Sequence, residues 1–514
     1  MNGAGSLIGT LVAGGVDTCF TNPGTSEMHI VAALDKCTDM RCVLGLFEGV
    51  VTGAADGYAR MAGKPACTLL HLGPGLANGL ANLHNASRAR VPIINIVGQH
   101  PSYHLPHDAP LTSDIEGIAR PYSKWLRTSL SPAGIGKDAA DAIIAAGREP
   151  GQIATMIIPV DVAWGEEGTI ATLPALTKPQ VPSEAEIKGT AILLRSGVRT
   201  CMILAGSALH GKGLATAGRI SAATGAKLLA PYPFARLERG AGTAVIDRIP
   251  YVPEQAAALL KEFTQVILVG AAAPVAYFAS QGKSSVLTSP ESVMRTLASP
   301  EEDAGGALEA LAAEMSLHGS QSVVEKAERP TMPTGNITLQ GLADVLGALL
   351  PEDVIVVDES MTSGRGMMTA TRGAPPHDWL ANTGGSIGIA MPLAVGAAVG
   401  ARDRRVLCLT ADGSGMYTAQ ALWTMARESL KVTTVVFANR DYAVLKREFT
   451  NIGVGEPGRR ALDLFEIGHP DLDWVMLGKS MGVPGVSVKS LEEFAKALRE
   501  GLGSDGPKLI EVKL

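Results

Sequence analysis

The chain has 514 residues, a formal charge of −6 and 46% hydrophobic residues. That length exceeds what one core holds and implies about three domains, while the acidic balance and the absence of a dense Lys/Arg run exclude a nucleic-acid surface. Six cysteines scattered through apolar stretches, with no CxxC pair, exclude a disulfide framework and a zinc site. Residues 7–16 are apolar but lack a basic leader, so they read as a helix packed on a sheet and not as a signal peptide. No apolar run is long enough to cross a bilayer, so a cytoplasmic protein without a membrane partner is expected.

From residue 1 to about 170, short apolar runs alternate with helical patterns, as a parallel α/β sheet requires. Asn22, Pro23, Gly24 and Thr25 form a turn at the carboxyl end of a first strand, with a helix starting near Ser26. A second strand, over 42–46, leads to Glu48 amid Leu46, Phe47, Val50 and Val51, and then to Gly53-Ala54-Ala55-Asp56-Gly57-Tyr58-Ala59-Arg60. A carboxyl placed there can trade a proton with a ring nitrogen. The third strand, over 65–70, runs into His71 and Gly73-Pro74-Gly75, and His71 is as much a proton-transfer candidate as a structural residue. A fourth, over 93–99, enters an irregular loop with His100, His104 and His107, whose spacing matches no zinc motif.

A Pro-rich polar segment over 173–184 reads as a linker, and the sequence divides into units 1–170, 185–325 and 335–514. In the middle unit, strands are expected over 200–205 and 265–270. Its glycines make neither GxGxxG nor GxxxxGK[ST], which disfavours a nucleotide-dependent oxidoreductase. Residues 304–333 read as a connector to the last unit.

In that last unit a strand over 354–358 leads to Ser360 and Thr362, whose hydroxyls and N–H groups can bind a diphosphate. A strand over 406–411, the turn Asp412-Gly413-Ser414-Gly415, a helical segment over 419–426 and a strand over 432–438 compose a βαβ unit. Its polar ends share one rim, where open α/β sheets bind ligands. The side-chain oxygens of Asp412 and Asn439 and a loop carbonyl from Asp441 suit Mg²⁺, and the bare N–H groups at Gly413 and Ser414 suit a diphosphate.

The Asp-Gly-Ser turn with its later Asn resembles the thiamine diphosphate motif, although Ala411 stands where the first glycine is usual. The Glu48 segment and Gly73-Pro74-Gly75 with Asn78-Gly79 are similar to the matching segments of thiamine-diphosphate-dependent 2-oxo acid decarboxylases and carboligases, the group of acetolactate synthase and benzoylformate decarboxylase. That resemblance covers nearly the whole chain and implies three doubly wound α/β domains with mainly parallel sheets, which bind the pyrimidine, link, and bind the diphosphate. It implies cofactor contacts from Pro23, Gly24, Gly413, Ser414, Tyr417 and Tyr442, the Gly385 carbonyl on the aminopyrimidine, and Ile387 beneath the two rings. Glu48 would activate the cofactor and His71 would match a histidine of benzoylformate decarboxylase, while Thr25, His104 and His107 would border the substrate.

The second histidine of that decarboxylase has no counterpart in residues 275–279. A middle domain without cofactor is favoured over one holding FAD, as in acetolactate synthases. The family places its cofactor between subunits, so a homodimer is the minimum and a homotetramer is expected. The implied reaction is thiamine-diphosphate- and Mg²⁺-dependent decarboxylation of a small 2-oxo acid, releasing an aldehyde or joining the remaining fragment to a second carbonyl. The alternatives are an acetolactate-synthase-like carboligase and a non-catalytic paralogue that only binds the cofactor.

Overall fold

The computed structural model describes residues 1–174, 179–279, 281–317 and 319–514; residues 175–178 of the predicted linker lie outside the described residues. The first sheet holds β1 (Thr18–Asn22), β2 (Arg41–Leu44), β3 (Ala66–Leu70), β4 (Ile93–Gln99), β5 (Trp125–Thr128) and β6 (Ile153–Pro159), all parallel, in the order β2-β1-β3-β4-β6-β5. The middle of the chain supplies β7 (Thr200–Leu204), β8 (Lys227–Ala230), β9 (Arg236–Arg239), β10 (Asp247–Arg248), β11 (Gln265–Val269) and β12 (Val293–Ala298). The last part supplies β13 (Ile355–Glu359), β14 (His377–Ala381), β15 (Val406–Ala411), β16 (Val432–Ala438), β17 (Gly485–Val488) and β18 (Lys508–Lys513). The second sheet runs β10-β8-β7-β11-β12 and the third runs β17-β18-β16-β15-β13-β14-β9.

The protein is thus an α/β fold of three mainly parallel sheets. One strand departs from the simple picture: β9 leaves the middle span and pairs antiparallel with β14, Leu237 opposite Trp379, at the edge of the third sheet. β9 and β14 are far apart in the chain, with β10 to β13 between them, so this pairing is a long-range contact that joins the middle span to the third sheet.

Strict alternation along the strands explains the layering. In β4 and β6, Ile94, Ile96, Ala154 and Met156 face one apolar cluster while Ile93, Val97, Ile153 and Ile157 face another, which also takes Ile355, Val357, Val406 and Cys408 of the third sheet. The opposite face of the third sheet, with Val356, Leu407, Leu409 and Phe437, shares its cluster with Met202, Leu204, Ile267 and Val269 of the second. The region over 304–333, expected as a connector, begins with the helix Ala304–Glu314, whose Ala304, Ala307, Leu308 and Leu311 are buried in that shared cluster. Their helical spacing marks an element that packs on a core.

The first and third sheets meet through the helices Glu48–Ala62 and Ala390–Gly400. Glycine permits the approach: a Cβ on Gly57 would sit 2.1 Å from the Leu393 carbonyl oxygen, and one on Gly396 would sit 1.8 Å from that of Ala54. Beside this contact the buried Arg60 bonds both oxygens of Asp56, at 2.7 and 2.8 Å, and donates to the carbonyls of Ala235 and Ala381. One guanidinium therefore ties the first sheet's helix to the chain leading into β9 and to the end of β14. Arg60→Met strands the Asp56 carboxylate in the core, and removing one partner of a buried pair costs about 3–5 kcal/mol. A lowered thermal midpoint is expected, and an unchanged midpoint would contradict the role given to this ion pair.

Candidate active site

In both the first and the third sheet, the strand order reverses beside a strand whose carboxyl end carries polar residues, and such switch points open a crevice. In the first sheet the reversal lies between β1 and β3, followed respectively by Asn22-Pro23-Gly24 and by His71. Glu48 starts the neighbouring helix and is buried, with its carboxylate accepting from the Asn22 amide at 3.3 Å and the Asn78 amide at 3.0 Å. Its surroundings are less apolar than expected, because Leu46 turns outward and is 48% exposed.

His71 faces a group that sequence reading left unassigned. Its Nδ1 lies 2.7 Å from Oε2 of the fully buried Glu27, which also accepts from the Gly24 N–H at 2.8 Å, and the Ser26 hydroxyl stands 3.2 Å from the same ring nitrogen. With Nδ1 turned to the carboxylate, Nε2 is left for another partner. A Cβ on Gly24 would meet that imidazole at 2.3 Å, and one on Gly98 would meet Glu27 at 1.8 Å, so both positions require glycine. Pro23 and Gly24 are half-buried, whereas Thr25 is exposed at the start of the short 3₁₀ turn Thr25–Glu27.

In the third sheet the reversal lies between β13 and β15. Asp412 follows β15 and is buried, accepting only from the backbone N–H groups of Gly413, at 2.9 Å, and Arg440, at 2.7 Å. Burial raises its pKa, against the pull of those N–H groups. Asn439 Oδ1 accepts from the Asp441 N–H at 3.2 Å. The Asp441 side chain pairs with Lys446, and its Oδ1 is buried without a partner. Tyr442 covers Gly413, where a Cβ would meet the ring at 2.5 Å, and Tyr417 lies against Gly388, half exposed.

Asn439, Asp441 and Lys446 line a cavity of about 670 Å³. Among the described residues no three His, Cys, Asp or Glu side chains gather as a metal cluster. A buried carboxylate, an amide oxygen and an unpartnered carboxylate oxygen do fit a hard cation that takes its other ligands from a diphosphate. Ser360 fits less well, since both its hydroxyl and its N–H donate to Asp358, while Thr362 is half-buried in the following turn.

Between these half-sites runs the loop with Gly385 and Ile387, held by groups that sequence reading did not single out. Asn85, on the helix Leu72–Ala89, donates to the Ser386 carbonyl and accepts from its N–H. Glu359, at the end of β13, is buried and accepts from the Asn382 amide at 3.0 Å and from the Gly388 and Ala390 N–H groups at 3.1 Å. Burial pushes Glu359 up to about 7 against those donors. The available signal was the pair Asp358-Glu359 closing the apolar run Val354-Ile355-Val356-Val357, since a carboxylate at the end of a buried strand needs donors to satisfy it. The Tyr277 hydroxyl also reaches this loop, standing 1.9 Å from where a Gly385 Cβ would be.

A buried carboxylate held by two amides at one switch point and an oxygen-rich pocket at another fit the needs of a cofactor-dependent enzyme. The chain belongs to the thiamine pyrophosphate enzyme family: residues 1–118 match the N-terminal TPP binding domain and residues 363–512 the C-terminal TPP binding domain. It is 51% identical over 520 residues, 100% of this chain and 99% of the relative, to the "Putative acetolactate synthase large subunit IlvX" of Mycobacterium tuberculosis. It is 27% identical over 530 residues, 97% of this chain and 96% of the relative, to benzoylformate decarboxylase of Pseudomonas aeruginosa. The thiamine diphosphate-dependent 4-hydroxybenzoylformate decarboxylase of Rhodococcus jostii RHA1 shares the fold, with a TM-score of 0.84 at 21% identity over 100% of this chain and 99% of that one.

The Glu359 shift has a definite sign. The folded protein holds the proton more tightly than the unfolded chain, whose carboxyl titrates near the ordinary 4.5, so this group's contribution is full below 4.5 and is lost as pH rises to about 7. Glu359→Gln removes that loss, so the stability of the variant relative to wild type is expected to climb between those values. A difference that stays constant across the range would contradict the assignment.

Proposed function

We propose that the protein is a thiamine-diphosphate- and Mg²⁺-dependent decarboxylase of a small 2-oxo acid. The observation that carries this reading is Glu48, a buried carboxylate held by two amides beside the switch point of the first sheet. Asn22 and Asn78 orient Glu48, which would hold a proton for a pyrimidine ring nitrogen. Asp412, Asn439 and the Asp441 loop would hold Mg²⁺, and the N–H groups of Gly413 and Ser414 would face the diphosphate. Asn85 and Glu359 fix the loop that brings Gly385 and Ile387 to the rings. When bound, thiamine diphosphate supplies a nucleophilic carbon and an electron sink for loss of CO₂.

His71, oriented by Glu27, presents Nε2 as the proton donor for the carbon that has lost CO₂, and this supports aldehyde release. A second reading, carboligation to a second 2-oxo acid, is supported by the 51% identity to a relative named as an acetolactate synthase subunit. The Glu48 and Asp412 carboxylates share no hydrogen-bond partner among the described residues, each being met by its own local donors, which supports a cofactor held between two subunits and hence a dimer, paired again as a tetramer. The six cysteines are free thiols and fit a reducing compartment, the cytoplasm. Among the described residues no helix is long and apolar enough to cross a membrane.

The test is proton NMR of the protein with thiamine diphosphate, Mg²⁺ and a panel of 2-oxo acids, with and without added aldehydes. Aldehyde formation that Glu48→Gln lowers by about 10²-fold or more is expected, the scale of a lost acid–base group. A 2-hydroxyketone as the sole product would select carboligation. An inert wild type that binds the cofactor would select the non-catalytic reading.

A further inference from the structure

Decarboxylation of a 2-oxo acid without oxidation consumes one proton per turnover. The bond to the carboxylate breaks, CO₂ leaves, the electron pair stays on the former carbonyl carbon, and that carbon takes a proton to give the aldehyde. Carboligation consumes one as well, at the oxygen of the new alcohol. Glu27 has no solvent exposure and the His71 side chain is 23% exposed, so each proton the Glu27–His71 pair gives up must be replaced from outside, past His71 or along the loops packed on it.

The loop after β4 brings imidazoles to this pair from the surface. Its strand packs Gly98 directly on the Glu27 carboxylate. Two residues on, His100 has a buried Nε2 with no hydrogen-bond partner. The His100 and His104 rings are 5.3 Å apart between centroids, and those of His104 and His107 are 5.8 Å apart. His100 and His104 are half-buried and His107 is exposed on the 3₁₀ turn Leu105–His107, so the three rings run from inside to outside. The file holds three of the ten histidines of the chain, and each spacing is short enough for a ring rotation or one bridging water to carry a proton.

Further along the same loop the Thr112 and Ser113 hydroxyls are also buried without partners, and Ser113 lies where a Gly73 Cβ would point, 1.9 Å away. Unpartnered buried polar atoms of this kind mark places for ordered water.

We propose that His100, His104 and His107 are the path by which the proton consumed in each turnover travels from solvent to the Glu27–His71 pair. Burial, His104 and His71 together lower the basicity of His100, which keeps its ring neutral, with one nitrogen to accept a proton and the other to donate one. The backbone holds the file in place: the His104 N–H donates to the Pro101 carbonyl at 2.8 Å, and the Ser102 N–H donates to Asp161 at 3.1 Å.

The inference rests on the 2-oxo acid reading, and the test separates the two. Steady-state kinetics with the best 2-oxo acid are compared for wild type, His104→Phe and His107→Asn, each with and without added imidazole. His104→Phe keeps a ring but carries no proton, and His107→Asn changes an exposed side chain that folding does not need. The expected result is a fall in kcat of about tenfold for His104→Phe, below the effect of losing a group that touches substrate, with KM unchanged and kcat partly restored by imidazole. His107→Asn should fall less and recover more fully. An active wild type matched by both variants, or a loss that imidazole does not restore, would overturn the relay and leave the function standing. A wild type inert toward every 2-oxo acid would overturn both.

Discussion

The close crossing of the helices Glu48–Ala62 and Ala390–Gly400 is the contact on which the rest of the molecule depends. Both helices begin at the rim where ligand chemistry is gathered: one opens with Glu48, and the other opens under the loop that Glu359 holds. Because Gly57 and Gly396 let backbone meet backbone, the relative position of those two starts is set by hard contact and not by flexible side chains. Arg60 then fixes the crossing in the remaining directions through Asp56 and two carbonyls from outside the first sheet.

The crossing positions a set of buried acids. Glu27, Glu48, Glu359 and Asp412 all lie at or beside carboxyl ends of strands, and each is met by N–H donors, not by lysine or arginine. Neutral donors satisfy a carboxylate while leaving its charge available, so a proton or a cation can still change its state. An arginine at any of these positions would make the acid permanently structural, as it does at Asp56.

Much of the fold was legible because period-two burial and helical spacing announce themselves: the expected strand over 93–99 is β4 itself, and that over 432–438 is β16. The edge strand β9 was not legible, since four residues reading Arg-Leu-Glu-Arg carry no long apolar run and owe their strand to pairing with β14. The helix Ala304–Glu314 was hidden by its small alanines and glycines, which look like a connector until a core is present to cover them. At the site, Asp412, Asn439 and Glu48 stand out as polar residues in apolar settings. Asn85 and Glu27 do not, because their importance lies in partners distant in sequence, Ser386 and His71, that only folding brings together.

The most direct measurement is complementation between two disabled subunits, Glu48→Gln and Asp412→Ala, co-expressed and purified together. Each variant alone should be inactive. If one cofactor takes its acid from one subunit and its cation from another, random pairing in a two-fold dimer leaves about a quarter of the sites intact, and about that share of wild-type turnover is expected to return. Mixed subunits as inactive as either parent, beside an active wild type, would contradict a site shared by the Glu48 and Asp412 pockets across the dimer.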